Sequence, residues 1–238
     1  MGEYSGNRAD GPGDHELIRE SLGGSQEALE KLIARHQAWI YNIAFKMVMD
    51  HDDASDVTQE VLIKIITNLS SYDPAKGAFR TWVYRITANH ILSMKRSAFE
   101  SRFSDLDEYF AMIRNIPDDR SFSHPDNDDL LEELRISCMT GMLICLNRRE
   151  RLAFILGGVF GVPDTVGGEI LEVSSGNFRT ILSRARRKVQ SHMKGHCGHV
   201  DPANPCRCSL KIKFFLDRGA IRPEALNYCR GSSVTIGE

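Results

Sequence analysis

Residues 167–189 read GGEILEVSSGNFRTILSRARRKV: a short apolar helix, a turn of Ser174, Ser175 and Gly176, and a longer helix, the order of a helix-turn-helix. On the longer helix Phe178, Ile181, Leu182, Ala185 and Val189 recur at spacings of three and four, so they are expected to face a core. Arg179, Thr180, Ser183, Arg186 and Arg187 are then pushed to the exposed side. A solvated helix face normally mixes charge signs, and this one carries no acid from Asn177 to Met193. Such a face suits the major groove of DNA, where residues near the helix N-terminus reach base edges and guanidinium groups neutralise phosphates.

Outward from this pair the helical period recurs, and period-two alternation is not needed anywhere. Ser25 to Met49 carries Ala28, Leu32, Ile33, Ile40, Ile43 and Met47 near a helical repeat, with Ser25 placed to cap it. The run Asp50-His51-Asp52-Asp53 breaks the pattern. A second helix is expected from about Ala54 to Leu69, with Val57, Val61, Ile65 and Leu69 on one side, and a third from about Phe79 to Arg96 after the turn SSYDPAKG. Helical pattern resumes at Leu130 and runs through Leu146; Arg148 to Phe160 follows and should end at Gly161-Val162-Pro163. The final pair is expected at about Val166 to Val173 and Asn177 to Met193. The expected fold class is all-α: a flexible leader (1–24), a helical domain (25–97), an acidic linker (98–128), a second helical domain ending in the helix-turn-helix (129–194) and a loop-rich, cysteine-bearing extension (195–238).

Composition bounds the function. With 42% apolar and 26% charged residues among 238 the chain has enough apolar mass for packed cores, yet no apolar run approaches the roughly 20 residues of a membrane-spanning helix, so no membrane insertion is expected. The polar start MGEYSGNRADGPGDHE has no apolar stretch behind a basic one, which points to the cytoplasm. Six cysteines are too sparse for a disulfide scaffold. The net charge of −2 conceals segregation: Lys76 to Ser97 holds five bases and no acid, Glu100 to Arg135 eleven acids against four bases, and Gly176 to Arg218 ten bases against two acids. Two basic blocks around an acidic one suit two separate polyanion contacts, although solvated helix faces produce the same count.

The first basic block, FRTWVYRITANHILSMKR (79–96), interleaves its cations with Phe79, Trp82 and Tyr84. Aromatic faces stack unpaired bases while Arg and Lys follow a backbone, so the block suits a single strand. Phe79, Val83 and Ile86 also follow a core stripe, and Trp82 serves packing as readily as stacking.

Four stretches in order, DASDVTQEVLIKI (53–65), FRTWVYRITANHILSMKR (79–96), LNRRERLAF (146–154) and the helix-turn-helix with SRAR (183–186), resemble the motifs of bacterial extracytoplasmic-function sigma factors of the sigma-70 family. The resemblance covers about Ser25 to Met193. It implies a dissociable initiation subunit whose partners are core RNA polymerase, promoter DNA and an anti-sigma factor, with 25–97 as sigma domain 2 and 129–194 as sigma domain 4. It further implies that Asp53, Asp56, Gln59 and Glu60 bind the polymerase clamp, and that Phe79, Arg80, Trp82, Arg85, Asn89, Lys95 and Arg96 serve the minus-ten element. Asn177, Arg179, Thr180, Ser183, Arg184, Arg186 and Arg187 then serve the minus-thirty-five element. Ser93 stands where the family usually has an acid, Ile181 where an Arg is common, and the turn is short.

Beyond Met193 the stretch GHCGHVDPANPCRCSLKIKFFLDRG (195–219) looks like a C-terminal variant of that family. Cys197, His199, Cys206 and Cys208 supply enough soft ligands for one tetrahedral zinc, although the spacing lacks the usual Cys-x-x-Cys pairs; packed thiols and a redox pair are the competing readings. No cofactor is required otherwise. No Gly-rich phosphate loop, nucleophile elbow or HExxH occurs, so the chain is not expected to be an enzyme. The alternative function is a helix-turn-helix repressor or activator acting without polymerase, which requires a dimer interface and an effector pocket that the sequence does not display.

Overall fold

The computed structural model describes residues 12–95, 100–101, 105–121, 127–224 and 226. These residues form ten α-helices, in chain order α1 (Pro12–Leu22), α2 (Gln26–Val48), α3 (His51–Asn68), α4 (Phe79–Ser93), α5 (Leu106–Asn115), α6 (Asn127–Ile144), α7 (Arg148–Phe154), α8 (Asp164–Leu171), α9 (Ser175–His196) and α10 (Cys208–Asp217). No strand occurs among them, and one isolated bridge joins Cys197 to Cys206. The chain divides into two compact units, 1–101 with 147–186 and 102–146 with 187–238. That division cuts across the sequential order expected from composition, because the helix-turn-helix shares a unit with the first four helices.

In the first unit α2, α3 and α7 start where a side chain satisfies free amides. Ser25 accepts from Ala28 N, Asp50 from Asp52 N and Asp53 N, and Asn147 from Glu150 N. Asp50 moves the start of α3 three residues ahead of expectation: the acidic run that looked like a break is a cap and a first turn, where carboxylates meet the positive end of the helix dipole. Helices α2, α3 and α4 pack on one another, and Leu32, Ile40, Ile43 and Met47 of α2, Val57, Val61 and Ile65 of α3 and Val83 and Ile91 of α4 are all buried. Each such side chain contributes about 1.5–3 kcal/mol of hydrophobic stabilisation.

Part of the expected flexible leader is instead α1. Its Asp14, fully buried, accepts from Arg35 and from His36 Nε2 at 3.2 Å, while Trp39 Nε1 donates to His36 Nδ1 at 3.1 Å. Burial raises the Asp14 pKa, but the His36 and Arg35 contacts outweigh it and hold the carboxyl below its ordinary range. The helix at Arg148 also departs from expectation: it ends at Phe154 and continues as a π turn, Ile155–Val159, around Gly157 and Gly158. Gly167 and Gly168 let α9 approach α8 closely, since a Cβ on the first would overlap the Phe178 ring and one on the second would lie 2.8 Å from the Val173 carbonyl.

The second unit is built from α5, α6, the end of α9 and α10. The segment expected to be a linker contains α5, capped by Asp105 and burying Leu106, Tyr109, Phe110 and Ile113. The extension expected to be loop-rich contains α10, whose Ile212 packs with Leu130, Leu131 and Leu134 of α6 and with Ile221 in one apolar cluster. Lys211, also buried, donates to the Ile116 carbonyl at 2.6 Å and pairs with Asp118 at 3.1 Å.

Candidate nucleic-acid interface

Three surfaces of the first unit hold the residues singled out by sequence. On α3, Asp56, Gln59 and Glu60 are exposed and Asp53 is half-buried. Burial, then the neighbouring carboxylates of Asp50, Asp56, Glu100 and Asp52, push the Asp53 pKa up. A crowd of self-repelling acids on one helix favours a basic partner. The same strip carries two large apolar side chains that sequence reasoning missed, Ile63 at 59% exposure and Ile66 at 41%. The available signal was the spacing itself: positions 56, 59, 60, 63 and 66 repeat at three and four, away from the buried Val57, Val61 and Ile65.

On α4 the seven expected contacts separate. Phe79 is buried at 1% exposure, its ring 5.1 Å from Tyr72 and 5.2 Å from His36, so it belongs to the core and not to a strand-binding face. Arg80 is half-buried, its guanidinium 5.5 Å from the ring centres of Trp39 and Tyr84 and donating to the Tyr84 hydroxyl at 3.3 Å. Trp82 is half-buried and stacks on Phe79 with ring centres 5.5 Å apart. Arg85, Asn89 and Lys95 are exposed; Arg96 lies outside the described residues. Helix α4 packs against α8: Asn89 Nδ2 donates to Glu172 Oε1 at 3.4 Å, and Trp82 and Arg85 line a recess with Tyr72, Lys76 and Glu169. Two carboxylates thus sit beside the cationic face of α4.

The helix-turn-helix is built as expected at its core, with Phe178, Leu182, Ala185 and Val189 buried; Ile181 is half-buried. Glu172 ends α8 in the left-handed conformation (φ 54°), and Ser174 Oγ accepts from Asn177 N at 3.2 Å to cap α9. The helix therefore starts at Ser175, two residues earlier than expected, and Gly176 lies inside it. Asn177, Arg179, Thr180, Ser183, Arg184, Arg186 and Arg187 are all exposed. Arg179 Nε donates to Asp164 Oδ2 at 2.7 Å and Arg186 Nη2 to the Gly157 carbonyl at 3.1 Å, which fixes two of the guanidinium groups. Arginines 148 and 151 of LNRRERLAF serve structure instead. Arg148 donates to Glu100 Oε1 at 3.0 Å, to the carbonyls of Ile91 and Lys95 at 2.9 Å and to that of Met94, and Arg151 donates to Glu100 Oε1 at 2.8 Å and to the Met47 carbonyl.

In the second unit Cys197 and Cys206 face each other across the isolated bridge, Cys208 opens α10, and His199 is exposed on the loop between them. No helix is long and apolar enough to cross a membrane among the described residues.

The model of sigma-70 region 2 matches residues 32–99. The chain is 26% identical over 177 residues to the ECF RNA polymerase sigma factor SigE of Mycolicibacterium smegmatis, a match covering 73% of this chain and 65% of that one, so it spans less than two thirds of that relative. It is 23% identical over 182 residues to the ECF RNA polymerase sigma factor SigW of Bacillus subtilis, covering 74% of this chain and 95% of that one. In fold it is similar to CnrH, solved in complex with the cytosolic domain of CnrY, with a TM-score of 0.54 and 20% identity over 76% of this chain and 97% of that chain.

Proposed function

We infer that this chain, which belongs to the extracytoplasmic-function branch of the sigma-70 family, directs core RNA polymerase to promoters and starts transcription there. Residues 25–97 take the role of sigma domain 2 and 129–194 that of sigma domain 4. One observation carries this: an acid-and-apolar strip on α3 accompanies an acid-free Arg face on α9, a protein-binding surface and a duplex-binding surface on one chain. Exposed Arg184, Arg187, Asn177, Thr180 and Ser183, with Arg179 and Arg186, read the minus-thirty-five duplex. Arg85, Asn89 and Lys95 hold the opened minus-ten strand, with the half-buried edge of Trp82 as a stacking face. Because Glu169 and Glu172 occupy that face, DNA has to displace α8 from α4 before the strand can bind. A regulator acting without polymerase leaves the α3 strip without a role, which disfavours that reading. An anti-sigma protein that covers these surfaces is the remaining partner class.

The test changes the strip without touching the core. Asp56→Lys with Ile63→Ser should weaken binding to core polymerase about tenfold or more, because an attractive charge becomes repulsive and an apolar anchor is lost. Helicity by circular dichroism should be unchanged. Undiminished polymerase binding by the double variant rejects the assignment.

A further inference from the structure

The junction between α9 and α10 holds two thiols in backbone register. Cys197, the residue after α9, and Cys206, two residues before α10, are the two members of the isolated parallel bridge. Gly198 N donates to the Cys206 carbonyl at 3.0 Å. A Cβ at Gly198 would overlap that carbonyl and the Arg207 guanidinium, so glycine is what allows the two segments to approach this closely. The residues between, 198–205, are held in one shape. The Cys197 carbonyl accepts from Val200 N at 3.1 Å and Asp201 N at 3.0 Å. Asn204 Nδ2 donates to the carbonyls of Lys194 at 2.8 Å and Cys197 at 3.2 Å, and Arg207 donates to that of Pro202 at 2.6 Å.

That register decides what the thiols can do. Among the described residues no group of three His, Cys, Asp or Glu side chains is placed to hold a metal, so the zinc set read from sequence, Cys197, His199, Cys206 and Cys208, is not assembled. A disulfide needs only two groups. Backbones paired as in a sheet run about 4.8 Å apart, and directly paired residues carry their Cβ atoms on one face. Disulfides join residues whose Cα atoms lie about 4.4–6.8 Å apart and whose Cβ vectors do not diverge, conditions that a bridged pair meets. Cys208 is less suited. It follows Cys206 by two residues and already belongs to the first turn of α10, so a bond between those two would strain a very small ring. Cys197 and Cys206 are half-buried beside exposed His199, Val200 and Asp201, which leaves a small reagent a route to their sulfurs.

We propose that Cys197 and Cys206 are a redox-modification site, oxidised by a small-molecule disulfide to an intrachain disulfide that fastens the end of α9 to the start of α10. The thiolate of one cysteine attacks a sulfur of the small disulfide, which forms a mixed disulfide and expels one thiolate. The thiolate of the second cysteine attacks the protein sulfur of that mixed disulfide, forms the intrachain bond and expels the other thiolate. The protein loses two electrons and two protons, and the small disulfide gains both as two thiols. Excess thiol runs the exchange backwards, so the bond follows the ratio of small disulfide to thiol. Backbone register supplies the selectivity, because a pair already held in position reacts as if at high local concentration.

The reduced full-length chain, kept metal-free by a chelator, is equilibrated with mixtures of oxidised and reduced glutathione. Free thiols are then alkylated and the linked peptides identified by mass spectrometry. Cleavage before Asp201 and after Arg207 separates Cys197, Cys206 and Cys208 onto different peptides. The Cys197–Cys206 link should exceed any link to Cys208 about tenfold or more, and excess reduced glutathione should remove it. Amide exchange at Gly198, whose N–H donates to the Cys206 carbonyl, should be about tenfold or more slower in the oxidised chain than in the reduced one. Cys208→Ala should keep the link, and Cys206→Ser should leave Cys197 carrying glutathione. A wild-type chain that stays reduced, carries glutathione on Cys197 without an internal bond, or joins Cys197 mainly to Cys208 or to Cys229, which lies outside the described residues, overturns the proposal. Unchanged exchange at Gly198 overturns the fastening. The mapping and the exchange measurement use the wild type, so misfolding of a variant cannot obscure either result.

Discussion

His90 lies at 7% exposure on α4, with Lys64 Nζ 2.7 Å from its Nδ1 and Glu60 Oε2 3.6 Å from its Nε2. Burial first, then the Lys64 charge, hold its pKa below the ordinary imidazole range, against the opposite pull of Glu60. Its unfolded pKa is about 6.5, so between the two values the unfolded chain binds more protons. The stabilisation is complete above about pH 6.5 and is lost as pH falls toward the folded pKa. Urea unfolding from pH 7.5 downward should show a steeper loss of stability in the wild type than in His90→Gln once pH drops below about 6.5. Identical slopes for the two proteins exclude the effect. Neither the pairing with Lys64 nor that with Glu60 is legible in sequence, because the partners lie 26 and 30 positions away on another helix. Phe79 makes the opposite point. Its spacing with Val83 and Ile86 marks a core stripe, and burial against Tyr72 and His36 follows that stripe over the aromatic-and-cation pattern that suggested DNA.

Between helices the strongest polar device is the clasp of α7 on the C-terminal ends of α2 and α4. Helix C-termini leave carbonyls without intrahelical donors, and the guanidinium groups of Arg148 and Arg151 supply donors and positive charge where the dipole is negative. Glu100, at 3% exposure, joins both arginines in a buried setting and offsets one of their two positive charges. Removing one member of a buried ionic group leaves the others uncompensated, which typically costs about 3–5 kcal/mol. Glu100→Ala should lower unfolding free energy by that amount in urea denaturation, and Glu100→Gln, which keeps an acceptor, by less. A change below about 1 kcal/mol for the alanine variant removes the clasp from the list of supports. Helix identity was legible at this scale wherever apolar residues recur over several turns, as in α2, α3 and α9. Boundaries were less so, since Asp50 as a cap and Gly157-Gly158 as the π turn depend on backbone geometry rather than composition. Helix α5 was hidden because Leu106, Phe110 and Ile113 form a single short stripe among acids.

For the whole chain, the basic block at 176–218 includes the exposed arginines of α9, whereas on α4 Arg85 is exposed and Arg80 is half-buried against Trp39 and Tyr84. The two compact units do not follow sequence order. Which helices share a core depends on contacts between distant segments, and a local period reveals that a face is apolar without naming what covers it. The extension shows the consequence. Read as composition it is a loop with cysteines. In the fold, fully buried Ile212 and nearly buried Ile221 close the apolar face of α6, Lys211 bridges to Ile116 and Asp118, and Asp119 N donates to the Leu210 carbonyl at 2.7 Å. Truncation after Lys194 uncovers Leu130, Leu131 and Leu134 and removes two isoleucines worth about 1.5–3 kcal/mol of burial each. The truncated chain should show faster amide hydrogen exchange along α5 and α6, with protection of α2 and α3 in the other unit preserved. Unchanged protection of α6 would mean that the second unit stands without its last helix, and that α10 rests on a core already complete.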